Sequence, residues 1–140
     1  MNLYAESSAV LAWLLGEPAA NTVREFLQES ESVAASDLTL VECERALIRA
    51  VTIGEIEEAA AADRRARLSA AATRWHVWRL DFEVIQRARK PFPVEPIRTL
   101  DALHLAAALQ ARASLPGLEL LSLDDRIRRA GKQLGFRLRP

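Results

Sequence analysis

With 140 residues, half of them hydrophobic, the chain can bury roughly two-thirds of its unfolded surface and needs no disulfide to hold a core. The one cysteine, Cys43, excludes an internal bridge and suits a reducing compartment. No run approaches the ~20 apolar residues of a membrane span, and Met1-Asn2-Leu3-Tyr4 does not open a basic-then-apolar leader. The expectation is one soluble, cytoplasmic domain over residues 1–140. The zero net charge conceals an asymmetry. Residues 1–60 carry eleven carboxylates against three arginines, and residues 61–140 carry sixteen basic against eight acidic side chains. Such a split can draw a polyanion to one surface and a cation to another, or it can simply solvate helix faces.

In chain order, Asn2–Ala5 reads as a short strand, followed by a helix through Val10, Leu11, Leu14 and Leu15 that stops near Gly16-Glu17-Pro18. A helix is expected over Ala20–Glu29, with Val23, Phe26 and Leu27 on one face, then a weak strand over Ser32–Ala35. Ser36 is placed to cap a helix running to Ile53, and Gly54 separates it from an Ala-rich helix, Glu55–Ala72. Trp75–Leu80 has strand composition, and Asp81 can cap the helix that ends before Pro91-Phe92-Pro93. A helix over Thr99–Ala113 is broken by Pro116-Gly117, an apolar strand starts at Leu118, a helix spans Asp125–Leu134, and Gly135–Leu138 is a candidate last strand. Strands separated by helices imply a three-layer α/β sandwich with a mostly parallel central sheet.

In such a sheet, sites form beyond the carboxyl ends of the strands. Glu6 follows the first strand, and Asp124 follows the apolar strand in Ser122-Leu123-Asp124-Asp125-Arg126. Asp101 lies in the first turn of its helix and Glu42 in the second turn of its own. Carboxylates that converge stay ionised only with positive charge between them. A hard divalent cation such as Mg²⁺ prefers oxygen ligands, and it can activate water and neutralise a phosphate. Phosphodiester hydrolysis fits better than acyl transfer, because no Ser–His–acid or Cys–His order is apparent. Each acid also has an ordinary explanation: Glu6 and Asp124 as helix caps, Asp101 as a first-turn acid, Glu42 as a partner of Arg45 or Arg49.

The runs Leu3-Tyr4-Ala5-Glu6-Ser7-Ser8-Ala9-Val10, Ser36-Asp37-Leu38-Thr39-Leu40-Val41-Glu42, Thr99-Leu100-Asp101-Ala102-Leu103-His104-Leu105-Ala106 and Ser122-Leu123-Asp124-Asp125-Arg126 resemble the signature segments of PIN domains. Their order is similar to that of VapC-type toxins of bacterial toxin–antitoxin pairs. The resemblance covers nearly the whole chain; the third run is its most specific part and the second its least. It implies an Mg²⁺- or Mn²⁺-dependent endoribonuclease held in check by a small cognate antitoxin, with Glu6, Glu42, Asp101 and Asp124 on the metal directly or through water. The family usually has Asp where this chain has Glu6, and one methylene moves a carboxylate by about 1 Å, enough to matter in a positioned site. Either the pocket accommodates Glu6 or activity is reduced, down to a catalytically silent PIN-like binding module.

Around these acids, Ser8 and Ser122 can orient a carboxylate, and His104, one turn beyond Asp101, is either a supporting partner of the site or a packed core histidine. Arg126, Arg128, Arg129 and Lys132 are candidate RNA phosphate contacts, with Arg64, Arg65 and Arg67 as a second patch. Trp13, Trp75 and Trp78 read as core or interface residues. Trp13, Leu14 and Leu15 suggest, with the resemblance, a homodimer whose flanking grooves take an antitoxin segment. A receiver-like signalling domain, which also gathers acids around Mg²⁺, stays open if Asp81 follows a central strand.

Overall fold

The computed structural model describes residues 1–140. Its elements are β1 (Asn2–Ala5), α1 (Ser7–Leu15), α2 (Ala20–Glu29), β2 (Ser32–Ser36), α3 (Asp37–Thr52), α4 (Glu58–Ala72), β3 (His76–Trp78), α5 (Phe82–Ala88), α6 (Thr99–Ser114), β4 (Glu119–Leu121), α7 (Asp125–Gln133) and β5 (Leu138–Arg139). All five strands are parallel, in the order β3-β2-β1-β4-β5. No helix is long and apolar enough to cross a membrane.

Side-chain alternation makes the three layers. Leu3 and Ala5 of β1, Val33 of β2 and Leu121 of β4 pack among residues of α1–α4, such as Val10, Leu14, Val23, Cys43 and Leu68. Their neighbours Tyr4, Ala34 and Leu120 point to the other face, against Val84 of α5, Leu105 and Ala108 of α6, and Ile127 and Ala130 of α7. A strand buried on both faces reads as an uninterrupted apolar run, which is why Leu3-Tyr4-Ala5 and Leu120-Leu121 lack a polar alternation.

Local chemistry sets the boundaries. Gly16 ends α1 in the left-handed region at φ 66°, where a residue with a Cβ would be strained. Helix α4 begins three residues later than expected, because the amides of Gly54, Glu55 and Ile56 still bond back to Val51 and Ala50 carbonyls. Strand β3 is shorter than Trp75–Leu80, since the Trp75 amide closes a turn onto Ala72. The last strand falls at Leu138–Arg139 rather than Gly135–Leu138: the amides of Gly135 and Phe136 are spent on Lys132 and Gly131 carbonyls. Gly131 itself lets α7 approach the sheet, since a Cβ there would lie 2.4 Å from Leu120 Cδ2.

The strand order settles the signalling alternative. β3 is an edge strand, and Asp81 beyond it caps α5 by accepting from the Val84 amide at 3.1 Å. It does not follow a central strand. The site instead belongs at the switch point between β1 and β4, where chain connections leave in opposite directions along the sheet.

Candidate active site

At that switch point, Glu6 leaves β1 and Ser122 leaves β4. The Glu6 amide bonds to the Leu121 carbonyl at 3.0 Å, so the two loops are stitched together directly. Glu42 arrives from α3, the helix after β2, and Asp101 and His104 from α6. Asp124 sits at the start of α7.

Glu6 is buried, and its carboxylate is held by four donors from its own neighbourhood. Oε1 accepts from Ser7 Oγ at 2.8 Å and from the Ser8 amide at 3.1 Å. Oε2 accepts from Ser122 Oγ at 2.7 Å and from Ser8 Oγ. The two hydroxyls are themselves fixed: Ser8 Oγ accepts from the Leu123 amide at 2.9 Å, and Ser122 Oγ from the Asp124 amide at 3.1 Å. Glu6 is therefore a helix cap and a member of the acidic cluster at once, and the pocket accommodates its added methylene with every acceptor position used. Ser8 and Ser122 both orient Glu6, and Ser122 also anchors the loop carrying Asp124.

Glu42 does not pair with Arg45 or Arg49. Its Oε1 contacts His104 Nε2 and lies 3.0 Å from Ser7 Oγ. Burial pushes this carboxyl up, but the bond and charge of His104, with the Ser7 hydroxyl, outweigh it and hold Glu42 below the usual carboxylate range. His104 is almost fully buried, as a packed histidine would be, yet it faces both glutamates, 3.8 Å from Glu6 Oε1. Its Nδ1 has no partner. Ser7 escaped the reading of the sequence altogether, although its place between Glu6 and Ser8 in a strand-to-helix turn was the available signal.

The polar atoms of this cluster meet at one point. Glu6 Oε1, Glu42 Oε1, His104 Nε2 and Ser7 Oγ crowd together, and a proton on His104 Nε2 serves Glu42 while the single Ser7 hydroxyl proton serves Glu6. Donor atoms of Glu6, Glu42 and His104 lie within 4.8 Å of one another, an oxygen-rich set with one imidazole nitrogen. Such a set of carboxylate oxygens fits a hard divalent cation.

Asp101 and Asp124 form the other side. They are not within that 4.8 Å group. Asp101 is pushed above the ordinary carboxylate range by burial and then by the charge of Asp124, with Arg98 opposing and Glu6 adding to the rise. Asp124 caps α7: its Oδ1 accepts from the Arg126 and Ile127 amides at 2.8 and 3.1 Å. The fold thus brings the four acids to one edge of the sheet as two linked pairs. Cys43, buried behind Glu42, has its thiol pushed up to about 12 by desolvation and is no nucleophile.

The basic residues divide. Arg128 spends its guanidinium on the Ser122, Arg139 and Pro140 carbonyls, tying α7 to the C-terminus rather than offering it to a phosphate. Arg126, Arg129 and Lys132 are exposed. The patch Arg64, Arg65, Arg67 dissolves, because Arg64 bonds the Leu14 carbonyl at 2.8 Å and Arg67 pairs with Asp63. Of Trp13, Leu14 and Leu15, Leu14 is buried, so no apolar triplet faces solvent there.

The PIN domain family model matches residues 3–133. Ribonuclease VapC46 of Mycobacterium tuberculosis is 34% identical over 134 residues, covering 96% of this chain and 93% of that protein. Among solved structures, Mycobacterium tuberculosis VapC20, a Sarcin-Ricin loop cleaving toxin, superposes with a TM-score of 0.66 at 18% identity, covering 92% of this chain and 95% of that one. The VapBC2 complex from Rickettsia felis, bound to a promoter DNA fragment, gives 0.67 at 12% identity with 99% and 98% covered. A parallel sheet with four acids at its switch point, matched in sequence and in fold over nearly its full length, makes this chain a member of the PIN domain family, of the VapC type.

Proposed function

We propose that this protein is a divalent-metal-dependent endoribonuclease and the toxin of a toxin–antitoxin pair. The observation that carries the reading is the close-set donor cluster of Glu6, Glu42 and His104 facing Asp101 and Asp124 across the switch point. Mg²⁺ or Mn²⁺ bound among these carboxylates would supply charge against the phosphodiester and activate water for in-line attack. The protein's own residues do the positioning. Ser8 and Ser122 hold Glu6 rigid, His104 and Ser7 aim Glu42, and the cap bonds of Asp124 fix its carboxylate at the mouth of α7. Metal ligation by Glu6, Glu42, Asp101 and Asp124 is part of the proposal. Glu6 reaches a cation through its serines or by releasing one of them.

An antitoxin partner and a homodimer belong to the same reading. Exposed apolar side chains support it on α3, where Val41 and Ile48 lie two turns apart, and at Phe82, Ile85 and Leu100 on α5 and α6. The buried free thiol of Cys43 suits a cytoplasmic location. The test is cleavage of single-stranded RNA by the purified chain with Mg²⁺, with Mn²⁺ and with chelator. Metal-dependent internal cuts are expected. Binding without cleavage under all three conditions would establish the silent module instead. Light scattering at micromolar concentration should give twice the chain mass, and a strict monomer would defeat the dimer.

A further inference from the structure

A cleft of about 350 Å³ opens beside the acidic cluster, at the low end of the range for small-ligand pockets, roughly 300–1,000 Å³. Asp101 lines it, so the cleft is continuous with the site. Three guanidiniums line it too: Arg98, at the N-cap of α6, and Arg126 and Arg129, neighbours at i,i+3 on α7. None of the three side chains has a hydrogen bond or an ion pair within the protein, in contrast to Arg64, Arg112 and Arg128, which are spent on carbonyls. Val94, Pro96, Ile97 and Leu105 complete the lining. The segment carrying Val94 and Ile97 is pinned, because Glu95 accepts from the Phe92 amide at 2.8 Å and the Ile97 amide at 2.9 Å. The cleft is therefore already shaped before anything enters it.

We propose that this cleft holds one nucleotide of single-stranded RNA adjacent to the cleaved bond, its phosphate among Arg98, Arg126 and Arg129 and its base on Val94 and Ile97. The assignment rests on the ribonuclease reading and deepens it. Unpaired guanidiniums are the groups that grip phosphate in a fork geometry, and their positive charge offsets the repulsion Asp101 would exert on a polyanion. An apolar wall beside them takes a base without reading its edge, so the subsite selects for an unstacked strand rather than for a sequence.

The test is binding of a labelled ten-nucleotide RNA of mixed sequence, in chelator so that nothing is cut, followed by fluorescence anisotropy across a salt series. Arg98→Ala with Arg129→Ala should weaken binding by about tenfold or more. It should also reduce the magnitude of the log–log salt slope by about 1.4, at about 0.7 per single-strand phosphate contact. Arg24→Ala with Arg74→Ala removes the same charge beside the start of β2, at the opposite edge of the sheet, and should change binding far less. An oligomer of abasic sites should bind the parent more weakly than the natural RNA, and Ile97→Ser should narrow that gap. Equal losses from both arginine pairs, or no loss from the first, would overturn the subsite. A chain that shows this pattern but cuts no RNA with metal defeats the ribonuclease reading alone; one that cuts RNA without the pattern defeats the subsite alone.

Discussion

The two sides of the acidic cluster are built on opposite principles. On one side, Glu6 and Glu42 are buried or half-buried, yet each oxygen that faces inward meets a serine, an amide or His104. On the other, Asp101 accepts no hydrogen bond and feels Asp124 and Glu6 as like charges, with the charge of exposed Arg98 as its main relief. One half is satisfied by the fold; in the other, Asp124 is held by its cap amides and Asp101 is left electrostatically strained. A ring of carboxylates is therefore not a uniform trap for cations. The satisfied half fixes geometry, and the strained half supplies much of the driving force for taking up positive charge.

The largest expected effect is on chemistry. Asp101→Asn removes one charge at constant shape and should slow metal-dependent RNA cleavage by at least ~10²-fold, read as initial rates in contaminant-free preparations. A mutant as fast as the parent would remove Asp101 from the site.

Next comes stability, where the two halves should respond with opposite sign. Glu6→Gln puts an amide NH₂ where two of four donors now point, leaving a buried donor clash. A loss of about 2 kcal/mol is expected, which for this size lowers Tm by ~5–10 °C. Asp101→Asn should instead raise Tm of the metal-free protein. Burial and then like charge hold the Asp101 carboxyl above its unfolded value, so its ionised form opposes folding. That penalty is complete above the folded-state pKa and absent below the unfolded one, about 3.9. The mutant's advantage should accordingly be present at neutral pH and fade as the pH is lowered toward about 4. Calorimetry of both variants at two pH values checks the signs, and two changes of the same sign would erase the distinction.

A smaller effect is predicted at Ser7. Ser7→Ala should cost about 1 kcal/mol through the lost hydroxyl bonds to the glutamates, measurable by denaturant titration.

Much of this arrangement was legible in the sequence, and for physical reasons. Short apolar runs such as Leu3-Tyr4-Ala5 and Leu120-Leu121 are what double-sided burial requires, so strand positions and the parallel sheet followed from them. Glycine and capping residues fixed the ends of α1 and α5. Acids following strands pointed to the edge at which the fold gathers them. What stayed hidden depended on side-chain direction across distant elements. Position within α3 pointed Glu42 toward its own arginines, whereas the fold turns it 62 residues away onto His104. Arg128 belonged by spacing to the basic face of α7, yet the C-terminal carbonyls claim it. Ser7 became visible only once α1 and α3 were seen to meet over it.

Thermal unfolding of the parent and Asp101→Asn across a Mg²⁺ titration tests the central claim most directly. A cation that binds only the folded cluster stabilises by about 2.7 kcal/mol at one hundred times its dissociation constant. The parent should therefore gain on the order of 5–10 °C, Mn²⁺ should act alike, and Na⁺ at matched ionic strength should not. The mutant should start higher and gain less. Identical gains at saturating metal in both proteins would contradict the account, because the strained half of the cluster would then play no part in binding the cation.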